Sequence, residues 1–189
     1  MNADTFERAV ASSRPLVVSV SPSQMQDSTP CQSWTVKDLI NHMIDAPTFA
    51  AVVMETGSFE NMSGESVDHA AGDYVAAYDA ATTRAAAAIA APGALDKIVK
   101  LPFGEMPGSV FVSIAAGDAF AHGWDLAKAT GLDTDLDSGL AAEILESVRP
   151  LLSDEMRGQD GKAPFGPRIE VAEGAPAADR LAGFLGRHP

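Results

Sequence analysis

The chain has 189 residues, of which 46% are hydrophobic and 21% are charged, and it carries a formal net charge of −13. This length and composition are typical of one globular domain with its own core, so we predict a single domain over residues 1–189. The acidic balance argues against nucleic acid and anionic membrane surfaces as partners, because both are bound through clustered Lys and Arg.

The cysteine content and the N-terminal pattern indicate the compartment. Cys31 is the only cysteine, which excludes an intrachain disulfide and suits a reducing environment. The segment MNADTFERAV has acidic residues where a signal peptide would be basic. No run approaches the roughly 18 apolar residues that a membrane-spanning helix needs. We therefore predict a cytoplasmic protein.

Apolar residues at helical spacing recur along most of the chain, separated by polar segments with Gly and Pro. Helices are predicted, in chain order, at about 4–20, from Thr35 onward, 68–91, 109–130, 137–157 and 176–187. Connections are predicted at 21–30 and 57–67, short strands at 97–103 and 168–171, and a turn at GEMPG, residues 104–108. Within the first helix, Pro15 indicates a kink or a late start.

Several helix ends carry recognisable signals. Thr35 and Asp38 match the capping box that begins a helix. Pro92 and Gly93 stop the third helix after its alanine run, and Gly131 suits the position just after the fourth. The helix after Thr35 has an amphipathic apolar stripe, formed by Val36, Leu39, Ile40, Met43 and Ile44.

Four long helices with connections of several residues predict a mainly α protein built as a helical bundle. The bundle core would cover about 4–157 and include a short β-hairpin or strand element. Residues 158–189 would form a small C-terminal extension. Sites in such bundles are built from inward side chains of facing helices, so polar residues on inner faces are the candidates.

The segment GDAFAHGWDLAKATG, residues 117–131, places polar groups on one face of the fourth helix. Asp118 and His122 are four residues apart, so they lie one above the other and can reach one divalent ion. A carboxylate and an imidazole suit Zn²⁺, and also Ni²⁺, Mn²⁺ or Fe²⁺. Asp125, three residues past His122, could accept the second N–H of that imidazole.

A third ligand must come from another helix. His42 lies at the border of the apolar stripe of the second helix and can face the bundle interior. His69 falls in the first turn of a helix beside Asp68, where a solvated side chain is expected, and His188 is next to last in the chain. The preferred metal ligands are therefore His42, Asp118 and His122.

These residues also have interpretations without a metal. An Asp and a His at this spacing often form a plain surface ion pair, and His42 alone suits a half-buried histidine. Asp125 could be a surface acid that pairs with Lys128. Cys31 is more typical of a core residue than of a thiol activated by a helix N-terminus. Trp34 and Trp124 are also more typical of a core, although either could line a pocket.

Three segments in order carry a resemblance to a known family: TPCQSWTVKDLINHM, GDAFAHGWDLAKATG, and APFGPRIEV with DRLAGFLGRHP. They resemble an actinobacterial branch of the DinB/YfiT-like superfamily, similar to the N-terminal metal-binding domain of mycothiol-dependent maleylpyruvate isomerase. The resemblance implies a four-helix bundle that holds zinc or nickel through three side chains, matched here by His42, Asp118 and His122. The isomerase branch has Glu where this chain has the shorter Asp118.

The resemblance also implies chemistry. Several relatives are thiol-dependent transferases or isomerases in which the metal binds a thiol such as mycothiol. The expected partners are then a small-molecule thiol and an electrophilic substrate, and a bundle of this kind could form a homodimer. A metal- or small-ligand-binding bundle without catalysis, and a metal-dependent hydrolase, are the alternatives.

Overall fold

The computed structural model describes residues 3–31, 33–62, 67–159, 162–163 and 165–189. Its helices are α1 Ala3–Ser19, α2 Val36–Thr56, α3 Tyr74–Ala90, α4 Gly108–Thr130, α5 Ser138–Val148 and α6 Ala177–Phe184. Its strands are β1 Ile98–Leu101 and β2 Gly104–Pro107. The prediction of a mainly α protein with a short β-hairpin is confirmed. None of the helices in the described ranges is both long and apolar enough to cross a membrane.

The chain divides into two compact units. The first comprises the chain up to Ala11 together with Ile40–Ala119, and the second comprises Ser12–Leu39 and Phe120–Pro189. Three statements stay predictions: that residues 1–189 form a single domain, that this domain has a core and an extension, and that the helices are arranged as a bundle.

The first unit is built around apolar faces of α2 and α3 and around the hairpin. Antiparallel pairing joins Val99 to Met106 and Lys100 to Glu105. Strand β1 alternates exposed and buried side chains, as expected for a strand with one solvated face. The buried side chains of the first unit include Ile40, Ile44, Val53, Met54, Tyr78, Ile89, Val99 and Val112.

The second unit has its own core, which includes Trp124. Trp124 is almost fully buried, and its indole N–H donates to Asp179 of α6 over 2.8 Å. Gly123 lies so close to Ser13 of α1 that a β-carbon at this position would clash with the Ser13 hydroxyl. The buried side chains of this unit include Leu16, Val17, Val36, Leu39, Phe120, Leu126, Leu140, Ile144 and Leu181.

Most of the predicted helix boundaries hold to within a residue or two, and two of them carry the predicted end signals. The backbone N–H of Thr35 donates to Asp38 Oδ2 over 2.9 Å, and that of Asp38 donates to Thr35 Oγ1 over 3.3 Å, which is the expected capping box. Helix α4 ends at Thr130, and Gly131 follows it with φ of 72°, a conformation that favours glycine. Helix α1 begins at Ala3 and continues past Pro15, so Pro15 does not mark a late start.

Two predicted boundaries near the middle of the chain were wrong. The third helix begins at Tyr74 instead of residue 68, because Asp73 accepts a hydrogen bond from the Ala76 N–H and caps it there. The segment predicted as the GEMPG turn contains strand β2. The turn between the strands is instead Pro102–Phe103, whose backbone lies outside the ladder.

The C-terminal predictions also need correction. Helix α5 ends at Val148 instead of residue 157, because Pro150 has no N–H with which to continue the helical hydrogen bonds. In the described segment 165–189, RIEV forms no strand, since the Ile169 N–H donates to the Gly183 carbonyl of α6 instead of to a neighbouring strand. Helix α6 covers Ala177–Phe184, shorter than the predicted 176–187.

Candidate functional site

Helix α4 carries three of the four candidate residues. It runs without a break from Gly108 to Thr130, so Asp118, His122 and Asp125 follow one another at spacings of four and three residues on one face. Their burial increases along the helix: Asp118 is half-buried, His122 is 8% exposed and Asp125 is 0% exposed. The face therefore passes from an accessible acid to a fully enclosed one.

In the first unit, the structure brings His42 of α2 to Asp118 of α4. His42 Nε2 lies 3.3 Å from Asp118 Oδ2 and 3.5 Å from Oδ1. The two side chains are 31% and 34% exposed, so both remain accessible from solvent. Two donors on one tetrahedral zinc ion, each about 2.0–2.2 Å from it, are separated by a similar distance. The donor types and their separation thus fit a shared divalent cation.

The other histidines are placed elsewhere. His69 Nε2 contacts Asp45 Oδ1 at 3.1 Å, which makes a second His–Asp pair in the first unit. His188 is exposed near the end of the chain. Of the histidines considered as a third ligand, His42 is the one that the structure places beside Asp118.

In the second unit, Asp125 is the centre of a buried hydrogen-bond cluster. His122 Nδ1 lies 3.0 Å from Asp125 Oδ2. Arg187 donates from Nε to Oδ1 over 3.1 Å and from Nη2 to Oδ2 over 2.9 Å, a two-pronged ion pair. The thiol of Cys31 also donates to Oδ2, over 3.4 Å. The interpretation of Asp125 as a surface acid that pairs with Lys128 is therefore wrong.

These neighbours decide the charge of Asp125. Burial by itself would raise the pKa of Asp125, but the hydrogen bond from His122 and the charge and hydrogen bonds of Arg187 outweigh burial and lower that pKa. An ionised carboxylate only accepts hydrogen bonds, so Nδ1 of His122 carries the proton that points at it. In the neutral imidazole, Nε2 then keeps its lone pair.

Trp34 and Arg187 were missed as parts of this cluster. The ring of Trp34 lies 5.5 Å from the ring of His122 at an interplanar angle of 30°, and Trp34 is half-buried instead of belonging to the core. Arg187 follows Asp125 by 62 positions and falls in the predicted extension. One signal could have pointed to such a cation: an acid on an apolar helix face needs a partner when buried.

The buried cluster also contains a group of side chains with metal-ligating atoms within 4.8 Å of one another, namely Cys31, His122 and Asp125. Arg187 is already part of this group, because its Nη2 lies 3.7 Å from Cys31 Sγ and 2.9 Å from Asp125 Oδ2. A divalent ion would have to displace that guanidinium. The group is therefore better described as a hydrogen-bond cluster with its own cation than as a metal site.

Comparisons with known proteins agree with the resemblance. The family described as "Mycothiol maleylpyruvate isomerase N-terminal domain" matches residues 6–127, about two thirds of the chain. Two relatives, uncharacterized proteins from two strains of Mycobacterium tuberculosis, are each 39% identical over 181 residues, 96% of this chain and 94% of theirs. No solved structure matches the chain. This chain belongs to the mycothiol maleylpyruvate isomerase N-terminal domain family.

Proposed function

We propose that the chain binds a divalent metal ion, zinc or nickel, through His42, Asp118 and His122. We further propose that it uses mycothiol, or a thiol like it, in an S-transfer or isomerisation reaction in the cytoplasm. The close approach of His42 Nε2 to Asp118 carries the metal proposal. The family name, which joins mycothiol to an isomerase, supports the choice of thiol and reaction.

His122 is the natural third ligand. It follows Asp118 by one turn of the uninterrupted helix α4, the spacing at which two side chains reach the same ion. Its Nδ1 faces Asp125 Oδ2, so Nε2 is the nitrogen that would bind the ion. A carboxylate on the far nitrogen of a ligating histidine is a common feature of metal sites, because it fixes the ring and makes the near nitrogen more basic.

Three protein ligands leave a coordination position for a small molecule. A divalent ion in this position would favour the thiolate form of a bound thiol at neutral pH. The partial exposure of His42 and Asp118 gives such a molecule access from solvent. The thiolate sulfur would form a bond to an electrophilic carbon. The product is a conjugate if that carbon loses a leaving group such as bromide, or if the neighbouring carbon takes up a proton. It is an isomer if the carbon–sulfur bond breaks again after rotation.

The first experiment measures metal content. Protein loaded with zinc or nickel should hold one ion per chain, and His42→Ala, Asp118→Ala and His122→Ala should each lose it while keeping a helical circular dichroism spectrum. His69→Ala is the matched control, because His69 forms a similar pair with Asp45 in the same unit. Full metal content in all three ligand variants would refute the proposed ligands.

The second experiment measures reaction with a thiol. Metal-loaded protein is incubated with mycothiol and monobromobimane, and conjugate formation is compared with the uncatalysed rate and with the Asp118→Ala variant. A metal-dependent increase supports the transferase. No increase with metal bound would refute it and leave a binding protein, and a metal-dependent hydrolysis that needs no thiol would favour the hydrolase.

A further inference from the structure

We propose that Arg187, close to the C-terminus, is a positioning residue for His122 and acts through Asp125. The proposal rests on the proposed function, since it concerns a residue that would bind the metal. It extends that function to a part of the chain that lies beyond the family match, which ends at residue 127. The C-terminal segment would then complete the site.

The contacts form an unbroken series. Arg187 holds both oxygens of Asp125 through Nε and Nη2, at 3.1 Å and 2.9 Å. This two-point contact fixes the plane of the carboxylate, which a single hydrogen bond would not do. Oδ2 of the fixed carboxylate meets His122 Nδ1 at 3.0 Å, and all of these groups are nearly or fully buried. The orientation of the imidazole therefore depends on the guanidinium.

The backbone around Arg187 places its side chain. The Arg187 N–H donates to the Ala182 carbonyl over 2.9 Å, and Nη1 donates to the Leu185 carbonyl over 3.2 Å. Gly186, with φ of 92°, turns the chain directly before it, and a β-carbon there would clash with Gly166. These contacts tie Arg187 to the end of α6, so its direction is set by ordered structure instead of by a free terminus.

The test compares Arg187→Gln and Arg187→Lys with Arg168→Gln as the control, since Arg168 is an exposed arginine paired with Glu170. Zinc affinity is measured by competition with a chelator. We expect Arg187→Gln to lose about 10- to 100-fold in affinity, the usual effect of removing an outer partner of a ligating histidine. Arg187→Lys should recover part of the loss, because it keeps the charge but not the two-pronged contact. The control should bind as the wild type does.

A second measurement does not depend on metal. In metal-free protein, nitrogen-15 NMR of the histidine rings reports which nitrogen of His122 carries the proton. In the wild type, His122 should carry its proton on Nδ1 and none on Nε2. In Arg187→Gln and Arg187→Lys, the spectrum should show a mixture of the two tautomers of His122 or exchange between them. A folded Arg187→Gln with wild-type affinity and a wild-type His122 spectrum would overturn the proposal. If Arg187→Gln does not fold, an unchanged spectrum in Arg187→Lys overturns it.

The two readouts separate this proposal from the proposed function. If the wild type binds no metal but its His122 spectrum changes in the Arg187 variants, the metal function fails and the positioning role stands. If the wild type binds metal and neither affinity nor spectrum changes in the variants, the positioning role fails alone.

Discussion

Replacement of Asp125 by Asn should strongly destabilise the second unit. Asn has nearly the same shape, but one of its two terminal atoms is an N–H donor. Both oxygens of Asp125 accept hydrogen bonds in the structure, Oδ1 from Arg187 and Oδ2 from Arg187, His122 and Cys31. Either orientation of the Asn side chain therefore points a donor at another donor.

The size of the effect follows from burial. Asp125 is 0% exposed and the Arg187 side chain 13% exposed, so the substitution leaves a largely buried guanidinium without its counter-charge. Breaking a buried pair from one side costs about 3–5 kcal/mol. The residual exposure of Arg187 places the expected value near 3 kcal/mol, a large part of the roughly 5–15 kcal/mol that stabilises a typical domain.

Urea unfolding followed by circular dichroism measures this loss. An m-value of roughly 2–3 kcal/mol per molar urea, reasonable for a chain of this size, converts 3 kcal/mol into a decrease of about 1 M in the midpoint. Asp45→Asn is the control, because Asp45 is an exposed acid that pairs with a histidine, His69, and its replacement should cost less than about 1 kcal/mol. Equal midpoints for Asp125→Asn and Asp45→Asn would refute the assignment of Asp125 as a buried ionised acid.

Two further predictions concern packing and a surface ion pair. Gly123→Ala should lower the free energy of unfolding by about 1–2 kcal/mol, because the clash with Ser13 exceeds the gain in helix propensity. Adding Ser13→Ala should recover part of this in a double-mutant cycle, since it removes the hydroxyl but keeps the nearby β-carbon. The hydrogen bond from Arg84 lowers the pKa of Glu55. The ion pair therefore stabilises the folded protein fully at a pH above the pKa that Glu55 has in the unfolded chain, and this stabilisation is lost as the pH falls through the lowered pKa of the folded protein. Arg84→Gln should therefore cost less than about 1 kcal/mol in urea unfolding at pH 7 and nothing once Glu55 is protonated; a cost that persists in acid would contradict this.

The helix assignments show what local sequence can predict. The start of α2 was predicted correctly because Thr35 and Asp38 form a capping box from neighbouring residues alone. The start of α3 was missed although its cap, Asp73, is also local. The chain there offers two acids, Asp68 and Asp73, five residues apart, and the helical period does not choose between them. The strand predicted at RIEV was wrong for a different reason, because the Ile169 N–H bonds to the end of a helix 14 residues later.

The candidate site divides in the same way. The period of a helix is enough to place Asp118, His122 and Asp125 on one face, so that part could be predicted from spacing. The approach of His42 to Asp118 depends on how α2 meets α4, which the apolar stripe only suggested. Spacing gave no signal that Arg187 pairs with Asp125, because a pairing across 62 residues follows from tertiary packing. The contacts of Arg187 with Asp125 show that Asp125 is the centre of the buried cluster.

The buried pair of Asp125 and Arg187 is poorly explained by stability alone. Taking both charges out of water costs several kcal/mol per ion, and apolar side chains of similar volume in such places are often as stable or more so. The buried core of this unit is otherwise mostly apolar, with Phe120, Trp124 and Leu126 among its buried side chains. What an apolar pair could not do is accept the hydrogen bond from Nδ1 of His122, which fixes the orientation of the ring. A charge pair that costs stability but fixes this histidine is therefore what a site that needs a fixed imidazole would require.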